Sequence, residues 1–322
     1  MQRFADAPDC WTLTDGHAGN VRQAQALAAA LDVQARDWTL QSRAPWRWLA
    51  PRMLPSSAAA FGAEFEAAFA QPPALAIGCG RQAALATRVL RGRGSFAVQI
   101  LDPRISPMHW DIVVAPEHDG LAGGNVITLM GSLHPVDEAW LAQARARFDS
   151  LRYSHGPQLA LLAGGTSAHA RIDAATFEPI ASALRHWAAE RGGRILATAS
   201  RRTPEDVRDR LHAWFGQAPH QVWTGEADGA NPYAGLLGWA DGIVCTADSV
   251  NMLSEACATT APVFVAGADA LQGRPRRFVD QLLQRGRVRR LEDGLEMFEC
   301  APLRETARVA AEVRQRLQAR GR

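Results

Sequence analysis

Short apolar runs alternate with longer segments of helical spacing along almost the whole sequence. The runs are rich in Val, Ile and Leu, as are strands that are buried on both faces of a sheet. Parallel strands need a crossover between them, and the usual crossover is a helix. The alternation therefore predicts an α/β protein whose sheets are parallel and covered by helices.

Candidate strands and helices occur in both halves of the chain. The candidate strands are Trp11–Thr14, Val33–Leu40, Leu75–Ile77, Phe96–Leu101, Ile112–Ala115, Val126–Leu129, Leu159–Ala163, Ile195–Ala199, Gln221–Thr224, Ile243–Thr246 and Val263–Ala266. The candidate helices are Val21–Leu31, Phe61–Phe69, Gln82–Leu90, Val136–Phe148, Ala174–Glu190, Pro204–Phe215, Ser249–Thr259 and Pro275–Arg285.

The chain has 322 residues, which is more than one hydrophobic core usually supports, so two domains are expected. The stretch LRYSHGP (151–157) interrupts the pattern just before a new strand. The predicted domains are residues 1–152 and 153–300, and residues 301–322 form a final helix that returns to the N-terminal domain and packs back across both domains. Because each half opens with a strand, a Gly-containing turn and a helix, two similar βαβ domains facing a cleft are expected.

Composition narrows the function classes. The formal net charge is only +2, so no nucleic-acid partner is expected, although all the basic residues are arginines. The five cysteines are scattered, which is typical of reduced thiols in a cytosolic protein. No signal peptide or membrane span is visible. We expect a cytoplasmic protein, a monomer or weak dimer, with peripheral contact at the inner membrane left open.

Polar turns follow three strands of the second half. Gly164-Gly165-Thr166-Ser167 follows the first of them, and paired glycines let backbone N–H groups approach a phosphate, although an ordinary tight turn is the alternative. Ser200, Arg201 and Arg202 follow the next strand, where two guanidinium groups suit a diphosphate or form a surface salt bridge. Thr203 is expected to cap the following helix.

The stretch from Thr246 to Glu255 has the most polar residues after any strand. A helix cap explains the residue types at Asp248 and Ser249. It does not explain why Asn251, Ser254 and Glu255 are polar. A carboxylate in this place suits the two hydroxyls of a ribose. The candidate ligand-binding residues here are Thr246, Asp248, Ser249, Asn251, Ser254 and Glu255, and Glu226 and Asn231 precede them in the chain.

Polar turns also follow the strands of the first half. Asp15 and His17 lie in the turn TDGHAGN, where a histidine acts as a general base near neutral pH and a carboxylate fixes its tautomer. A turn in which His17 is incidental is the alternative. The other candidate residues are Gly80, Arg81, Asp102, Arg104, His118 and Asp119, all at predicted strand ends.

Neither metal nor nucleophile chemistry is suggested by the sequence. It contains no Asp-x-Asp pair and no His/Glu set with metal-ligand spacing, so no metal and no cofactor are expected. It also contains no Gly-x-Ser-x-Gly elbow. The segment Trp46–Pro55 mixes Trp, Leu and Arg, which suits a membrane interface, whereas tryptophans packed under a loop are the alternative.

Several motifs together resemble one known family, the mitochondrial-fission family of the elongated-mitochondria type. The motifs are TDGHAGN (14–20) with Gln23, IGCGR (77–81), VQILDPR (98–104), PEHD (116–119), SRRTP (200–204), NPYAGLLGWAD (231–241) and TADSVNMLSEA (246–256). That family is similar to GT-B glycosyltransferases, which have two Rossmann-like domains facing a cleft.

The resemblance to GT-B enzymes implies roles for individual residues. The C-terminal domain would bind a nucleotide-diphosphate sugar, with Gly164 and Gly165 at the diphosphate and Glu255 at the ribose. His17 would stand where a base is proposed, although the loop here is not a glycine run. With Asp15 and Asp119 it makes up the predicted catalytic set.

Three functions remain open from the sequence. The first is metal-independent glycosyl transfer from a nucleotide-diphosphate sugar to a lipid-linked cell-envelope acceptor. The second is a non-catalytic adaptor at a membrane surface, since plant relatives are associated with recruiting a dynamin-type protein. The third is epimerisation of a nucleotide sugar, for which Asp15, Asp102 and Asp119 are the candidate acid and base.

Overall fold

The computed structural model describes residues 9–166, 170 and 172–320. The strands in this part of the chain are β1 (Cys10–Thr14), β2 (Ala35–Thr39), β3 (Leu75–Cys79), β4 (Phe96–Ile100), β5 (Ile112–Pro116), β6 (Val126–Leu129), β7 (Gln158–Ala163), β8 (Arg194–Ala199), β9 (Gln221–Trp223), β10 (Gly242–Thr246), β11 (Val263–Ala266) and β12 (Val288–Arg290). The helices are α1 (Ala18–Ala30), α2 (Trp46–Leu49), α3 (Ala63–Ala68), α4 (Arg81–Arg91), α5 (Glu138–Arg147), α6 (Ala174–Arg191), α7 (Glu205–Phe215), α8 (Tyr233–Trp239), α9 (Val250–Cys257), α10 (Gly273–Gln284) and α11 (Thr306–Arg320).

The contacts divide the chain into two compact units. The first contains the residues up to Pro135 and those from Glu305 onward, and the second contains Val136–Arg304. The sequence placed the boundary at residue 152, which would leave α5 in the first unit. In the structure α5 belongs to the second unit, because it packs against α8.

The packing of α5 against α8 is close enough to require glycine. A Cβ atom on Gly235 would lie 2.5 Å from the Cβ of Phe148. A Cβ atom on Gly238 would lie 3.1 Å from the Cγ of Arg145, whose guanidinium donates a hydrogen bond to the Gly238 carbonyl at 3.4 Å. The indole N–H of Trp239 donates to the Phe148 carbonyl at 3.0 Å. These contacts explain why a helix with two glycines forms here.

The first unit is built on a six-stranded sheet in the order β2-β1-β3-β4-β5-β6, and every pair is parallel. The chain runs from β1 outward to β2 and then returns to the other side of β1. The order therefore reverses between β1 and β3. In open parallel sheets, ligands bind at the carboxyl ends of the strands beside such a reversal.

The second unit repeats the arrangement with the order β12-β11-β10-β7-β8-β9, again parallel throughout. Here the order reverses between β7 and β10. Both sheets have the α/β architecture that the alternation of apolar runs predicted. The short edge strand β12 was not predicted, because two of its three residues are arginines.

The core of each unit lies on the two faces of its sheet. β7, β10 and β11 are buried at every position, which is the pattern of strands covered by helices on both sides. In the second unit the core contains Phe177, Leu184 and Trp187 from α6.

The last helix, α11, packs on α1 of the first unit. Val309, Ala310 and Val313 share a buried cluster with Leu27 and Leu31. The hydroxyl of Thr306 donates to the His134 carbonyl at 2.8 Å and accepts from the His134 amide at 3.1 Å. The two ends of the chain thus build one unit.

A buried arginine holds the C-terminal end of α9. Arg287, directly before β12, is only 6% exposed. Its guanidinium donates to the carbonyls of Cys257 at 3.0 Å, Thr259 at 2.9 Å and Ala261 at 3.3 Å. The last carbonyls of a helix lack partners within the helix and carry partial negative charge, so a cation here is doubly favoured.

Candidate functional site

Three turns of the second unit meet at one edge of the sheet. They are residues 164–166 after β7, 200–203 after β8 and 246–249 after β10. The three strands are neighbours in the order β10-β7-β8. The topology therefore brings together the three groups of second-half residues that the sequence singled out. Ser167, which belonged to the first group, lies outside the described residues.

The buried carboxylate of Asp248 connects these turns. It accepts a hydrogen bond from the Gly165 N–H at 3.0 Å and another from the Thr246 hydroxyl at 2.7 Å. The guanidinium of Arg202 lies 3.5 Å away, and the Asp248 side chain is 0% exposed. Thr246 in turn accepts from the Gly164 N–H at 2.7 Å. Asp248 is therefore a structural anchor of the site.

The two glycines are required by close approach. A Cβ atom on Gly164 would lie 2.0 Å from a carboxylate oxygen of Asp248, and one on Gly165 would lie 2.2 Å from the backbone carbon of Arg202. From the sequence, their N–H groups were expected to approach a phosphate. In the structure they donate to Thr246 and Asp248 instead, because the loop is tied to β10.

The turn after β8 is stabilised by hydrogen bonds of Thr203, and its two arginines are exposed to solvent. The Thr203 hydroxyl contacts the carbonyls of Ala163 and Gly164 and accepts from the Ser200 N–H at 2.9 Å. Thr203 therefore does not cap α7, which begins at Glu205 with Pro204 in the capping position. Arg201 and Arg202 are both exposed at this edge.

Arg208, which the sequence interpretation missed, shapes the same turn. Its guanidinium donates to the carbonyl of Thr203 at 2.9 Å, of Arg201 at 3.1 Å and of Ser200 at 3.2 Å. It lies on α7 one turn after the helix begins. No sequence motif marks this arginine. Its partners are backbone carbonyls, which every residue type has.

Burial controls the charge of Asp248. Loss of solvent raises the pKa of this carboxyl above its usual value, although hydrogen bonds from Thr246 and Gly165 and the charge of Arg202 oppose the rise. A raised folded-state pKa adds stability at low pH, and that stability is lost as the pH rises through the folded pKa.

We therefore expect Asp248→Asn to remove a pH-dependent contribution to stability. As the pH rises from about 4, the unfolding free energy of the wild type should fall relative to that of the variant, because only the wild type must ionise a buried group. Urea unfolding of both proteins at several pH values measures the difference.

Asp228→Asn serves as a control of opposite sign. Burial raises the pKa of Asp228, but the hydrogen bonds from Thr224 and the nearby His212 outweigh burial and lower it. A lowered pKa adds stability above the usual value, which is lost as the pH falls. The unfolding free energy of the wild type should thus fall relative to that of Asp228→Asn as the pH is lowered. Parallel slopes for the two variants would contradict the assignment.

Helix α9 carries the remaining polar residues after β10. Ser249 is the N-cap, and its side chain accepts from the Met252 N–H at 3.4 Å. The Ser254 hydroxyl donates to the Val250 carbonyl at 2.7 Å. Glu255 is 2% exposed and accepts a hydrogen bond from the Tyr233 hydroxyl at 2.5 Å. Asn251 lies on the first turn and is half-buried.

Tyr233 is a second residue that the sequence interpretation missed. It begins α8, and its contact with Glu255 joins α8 to α9. The chain has only two tyrosines, and this one stands in the motif NPYAGLLGWAD, so the residue type was an available signal.

Two of the predicted residues have local structural roles, and a third lies at a surface groove. The Asn231 side chain accepts from the Tyr233 N–H at 2.9 Å and so helps to begin α8. The Thr166 hydroxyl donates to the Ile172 carbonyl at 3.0 Å. Glu226 lies in an exposed turn after β9 and lines a surface groove of about 510 Å³ together with Arg208.

In the first unit, the turn after β1 forms a small polar cluster. The Asp15 carboxylate accepts from the Asn20 amide at 2.9 Å and lies 3.0 Å from the Nδ1 of His17. The His17 side chain is 81% exposed. Burial raises the pKa of Asp15, but the hydrogen bonds from Asn20 and His17 outweigh it, so the pKa is lowered. The predicted pairing of the carboxylate with the imidazole is thus present in the geometry.

The turn after β3 approaches this cluster. A Cβ atom on Gly80 would lie 2.7 Å from the Asn20 side-chain nitrogen, and φ at Gly80 is +92°, so glycine is required twice over. The Cys79 thiol donates to Asn20 at 3.5 Å, and burial raises its pKa well above the usual value. The adjacent Arg81 guanidinium donates to the Arg47 carbonyl at 2.9 Å.

The remaining predicted residues follow β4 and β5. Asp102 lies 3.4 Å from the guanidinium of Arg104, which is 66% exposed. Leu101 and Arg104 both have positive φ, at +74° and +62°. His118 and Asp119 are nearly buried, with 4.0 Å between the His118 Nε2 and an Asp119 carboxylate oxygen.

The predicted catalytic set follows two strands that are not neighbours in the sheet. β5, which Asp119 follows, is three strand positions from β1, which Asp15 and His17 follow. Three spacings between neighbouring strands amount to about 14 Å. Among the three residues, the structure shows a contact between Asp15 and His17.

The described residues contain no group of three His, Cys, Asp or Glu side chains placed to hold a metal ion. Across the same part of the chain, no helix has the length and apolar character needed to span a membrane.

Comparison with known proteins identifies the family. The profile described as "Mitochondrial fission ELM1" matches residues 18–317. The chain belongs to this family. The "Mitochondrial fission protein ELM1" of Arabidopsis thaliana is 31% identical over an alignment of 280 positions, which covers 77% of this chain and 65% of that protein. This chain thus covers less than two thirds of the plant relative. The "Uncharacterized protein RP120" of Rickettsia prowazekii is 24% identical, covering 93% of this chain and 96% of its own length.

Solved structures share the fold at low sequence identity. The UDP-GlcNAc 2-epimerase of Methanocaldococcus jannaschii is 11% identical, with a TM-score of 0.53 over 95% of this chain and 98% of that one. A glycotransferase of kitacinnamycin is 12% identical, with a TM-score of 0.52 over 98% and 96%. The two sheets therefore have the GT-B architecture of two Rossmann-like domains that the family resemblance implied.

Proposed function

We propose that the second unit binds the diphosphate of a nucleotide-diphosphate sugar, and that the protein is a metal-independent glycosyltransferase. The acceptor we propose is a lipid-linked molecule of the cell envelope. The shared fold supports this proposal, because the proteins of known structure with this fold include both a UDP-GlcNAc epimerase and a glycotransferase. The family match covers nearly the whole chain.

One observation carries the proposal. Exposed Arg201 and Arg202 follow β8, and Arg202 contacts the loop after the neighbouring β7, whose glycines leave no room for side chains. The first turn of α9, an eight-residue helix, begins at the same edge. Guanidinium groups and helix N-termini both favour phosphate oxygens. The Asp248 anchor fixes the three turns in place, so little conformational freedom is lost on binding.

Glu255 is the proposed ribose-binding residue. Its carboxylate is held by the Tyr233 hydroxyl and by the position of α9 against β10. A carboxylate accepts hydrogen bonds through both of its oxygens, and the two hydroxyls of a ribose are donors. His17 and Asp15 are the proposed acid–base residues of the first unit.

Binding is tested by thermal denaturation with nucleoside diphosphates, nucleotide sugars and inorganic pyrophosphate. At concentrations about 100-fold above the dissociation constant, a specific ligand adds about 2.7 kcal/mol, which corresponds to a Tm increase of about 5 °C or more. Arg201→Ala should weaken every diphosphate about tenfold, because one charge-assisted hydrogen bond is lost. Arg185→Ala, on the exposed face of α6, is the matched control and should leave binding unchanged.

Glu255→Gln separates the ribose from the diphosphate. Glutamine keeps an oxygen for the Tyr233 hydroxyl but replaces the second carboxylate oxygen with an amide group that donates. It should weaken nucleoside diphosphates by about tenfold and leave pyrophosphate binding unchanged, because only the ribose contact is affected. If no nucleoside diphosphate raises the Tm of the wild type, the proposed function fails.

Turnover distinguishes transfer from the two alternatives. With a bound nucleotide sugar, NMR of the products separates a transferred sugar from an epimerised one. An adaptor would bind its partner with Arg201 and Glu255 replaced and would release no nucleoside diphosphate in any assay.

A further inference from the structure

Exposed apolar side chains are concentrated in one short segment of the first unit. Trp48, Leu49 and Met53 are 71%, 40% and 47% exposed, and all three lie in or just after α2. Single exposed apolar residues are ordinary on protein surfaces, but a contiguous group of large ones marks an interaction site.

The segment is held firmly against the rest of the unit. Trp46 packs inward on a buried cluster that includes Ala50, Leu85 and Val89. The Arg81 guanidinium donates to the Arg47 carbonyl at 2.9 Å, and that of Arg88 donates to the Pro51 carbonyl at 3.1 Å. The two interpretations of this segment thus apply to different residues, since Trp46 packs under the loop while Trp48 faces solvent.

The charged residues of the surrounding stretch of sequence all have one sign. Between Asp37 and Glu64 the sequence contains three arginines and no acidic residue. Arg43, Arg47 and Arg52 are all exposed. We name the six residues Arg43, Arg47, Trp48, Leu49, Arg52 and Met53 the Trp48 surface.

We propose that the Trp48 surface docks on an anionic lipid bilayer. Trp48, Leu49 and Met53 enter the boundary between headgroups and acyl chains, and the arginines contact lipid phosphates. Tryptophan favours this boundary because its ring is amphipathic, and basic residues are attracted to anionic headgroups. Three exposed apolar side chains and three exposed arginines in one short segment match the apolar interior and the anionic headgroups of a bilayer. The surface lies within the first unit and needs no nucleotide, so the inference is independent of the proposed function.

Vesicle flotation tests the proposal with the full-length protein. Vesicles of phosphatidylcholine alone are compared with vesicles containing 30% phosphatidylglycerol. We expect the wild type to float only with the anionic vesicles and to be released by about 0.5 M salt, because the headgroup attraction is screened. Failure to bind anionic vesicles, or equal binding to both kinds, overturns the proposal.

Two triple variants separate the apolar from the ionic contribution. Trp48→Ser/Leu49→Ser/Met53→Ser should lose at least about tenfold in binding, because the buried apolar area is removed. Arg43→Gln/Arg47→Gln/Arg52→Gln should lose on the order of a hundredfold, since each basic residue near the surface contributes about 1 kcal/mol, or about fivefold.

Matched controls change the same kinds of side chain elsewhere. Met108→Ser removes a side chain that is 67% exposed, and Arg185→Gln/Arg210→Gln/Arg277→Gln removes three exposed arginines of the second unit. Both should bind like the wild type, and equal losses in the controls overturn the proposal. The single variant Trp48→Ser replaces the apolar triple variant if the latter has a lowered Tm.

Sedimentation without lipid tests the alternative occupant. If the wild type self-associates and the apolar triple variant is monomeric, a second copy covers the surface and the proposal is overturned. A wild type that stays monomeric at the concentrations of the flotation assay supports the bilayer as occupant.

Discussion

Arg287→Met is expected to lower the unfolding free energy of the second unit by about 3–5 kcal/mol, because it leaves several buried carbonyl acceptors without donors. The guanidinium donates to the carbonyls of Cys257, Thr259 and Ala261 at the C-terminal end of α9. Methionine has a similar length but no N–H groups. The carbonyls would remain buried and unsatisfied.

Arg289→Met is the matched control, two residues further along the chain. Its guanidinium is exposed and lies 4.3 Å from the ring centre of Phe298. An exposed cation–π contact contributes about 0.5–1 kcal/mol, so the control should cost no more than that. Urea unfolding gives the energies, and hydrogen exchange of peptides from α9 and β12 locates the loss. Equal losses of unfolding free energy for Arg287→Met and Arg289→Met would show that the contacts to buried carbonyls add no stability beyond that of an exposed contact.

Gly165→Ala should destabilise the second unit by about 3 kcal/mol or more, because the new methyl group meets backbone that cannot yield easily. The Cβ atom would lie 2.2 Å from both the backbone carbon and the carbonyl oxygen of Arg202. Moving either strand end apart also lengthens the hydrogen bond from the Gly165 N–H to Asp248. Packing and the anchor of the site would be lost together.

Gly225→Ala is the control, and it tests whether replacing any turn glycine of this unit by alanine destabilises the unit. A Cβ atom there meets no atom of the described residues within 4 Å, and φ is 177°, which any residue adopts. We expect an unchanged or slightly raised stability, since alanine restricts the unfolded chain by about 0.4–1 kcal/mol. Thermal and urea unfolding of the two variants in parallel measure the contrast. A Gly165→Ala protein as stable as Gly225→Ala would refute the close approach.

The sequence revealed those strands whose side chains are buried along the whole strand, because their composition is mainly apolar. β7 and β10 are buried at every position, so their apolar runs stand out. β12 lies at the sheet edge, and Arg289 on it is exposed, so its composition looks like a loop. α8 was missed because two glycines argue against a helix. They are present because α5 packs against them, and a partner 90 residues away leaves no local signal.

The same reasoning applies to the site. Parallel topology places every strand's carboxyl end on one edge, so the sequence located the turns that meet there. It did not reveal which polar groups are already paired within the protein. Asp248 is joined to Gly165 across 83 residues, and Glu255 is joined to Tyr233 across 22. Such partners are set by the fold, and only the fold separates a structural carboxylate from a ligand-binding one.

The pairing of α11 with α1 has a consequence for the order of assembly. The first unit contains both ends of the chain, and the second is inserted between residues 135 and 305. The second unit is therefore continuous in sequence, whereas the first joins two segments that lie on either side of it. Because Val309 and Val313 belong to the buried cluster of the first unit, that core is complete only after the whole second unit has been translated.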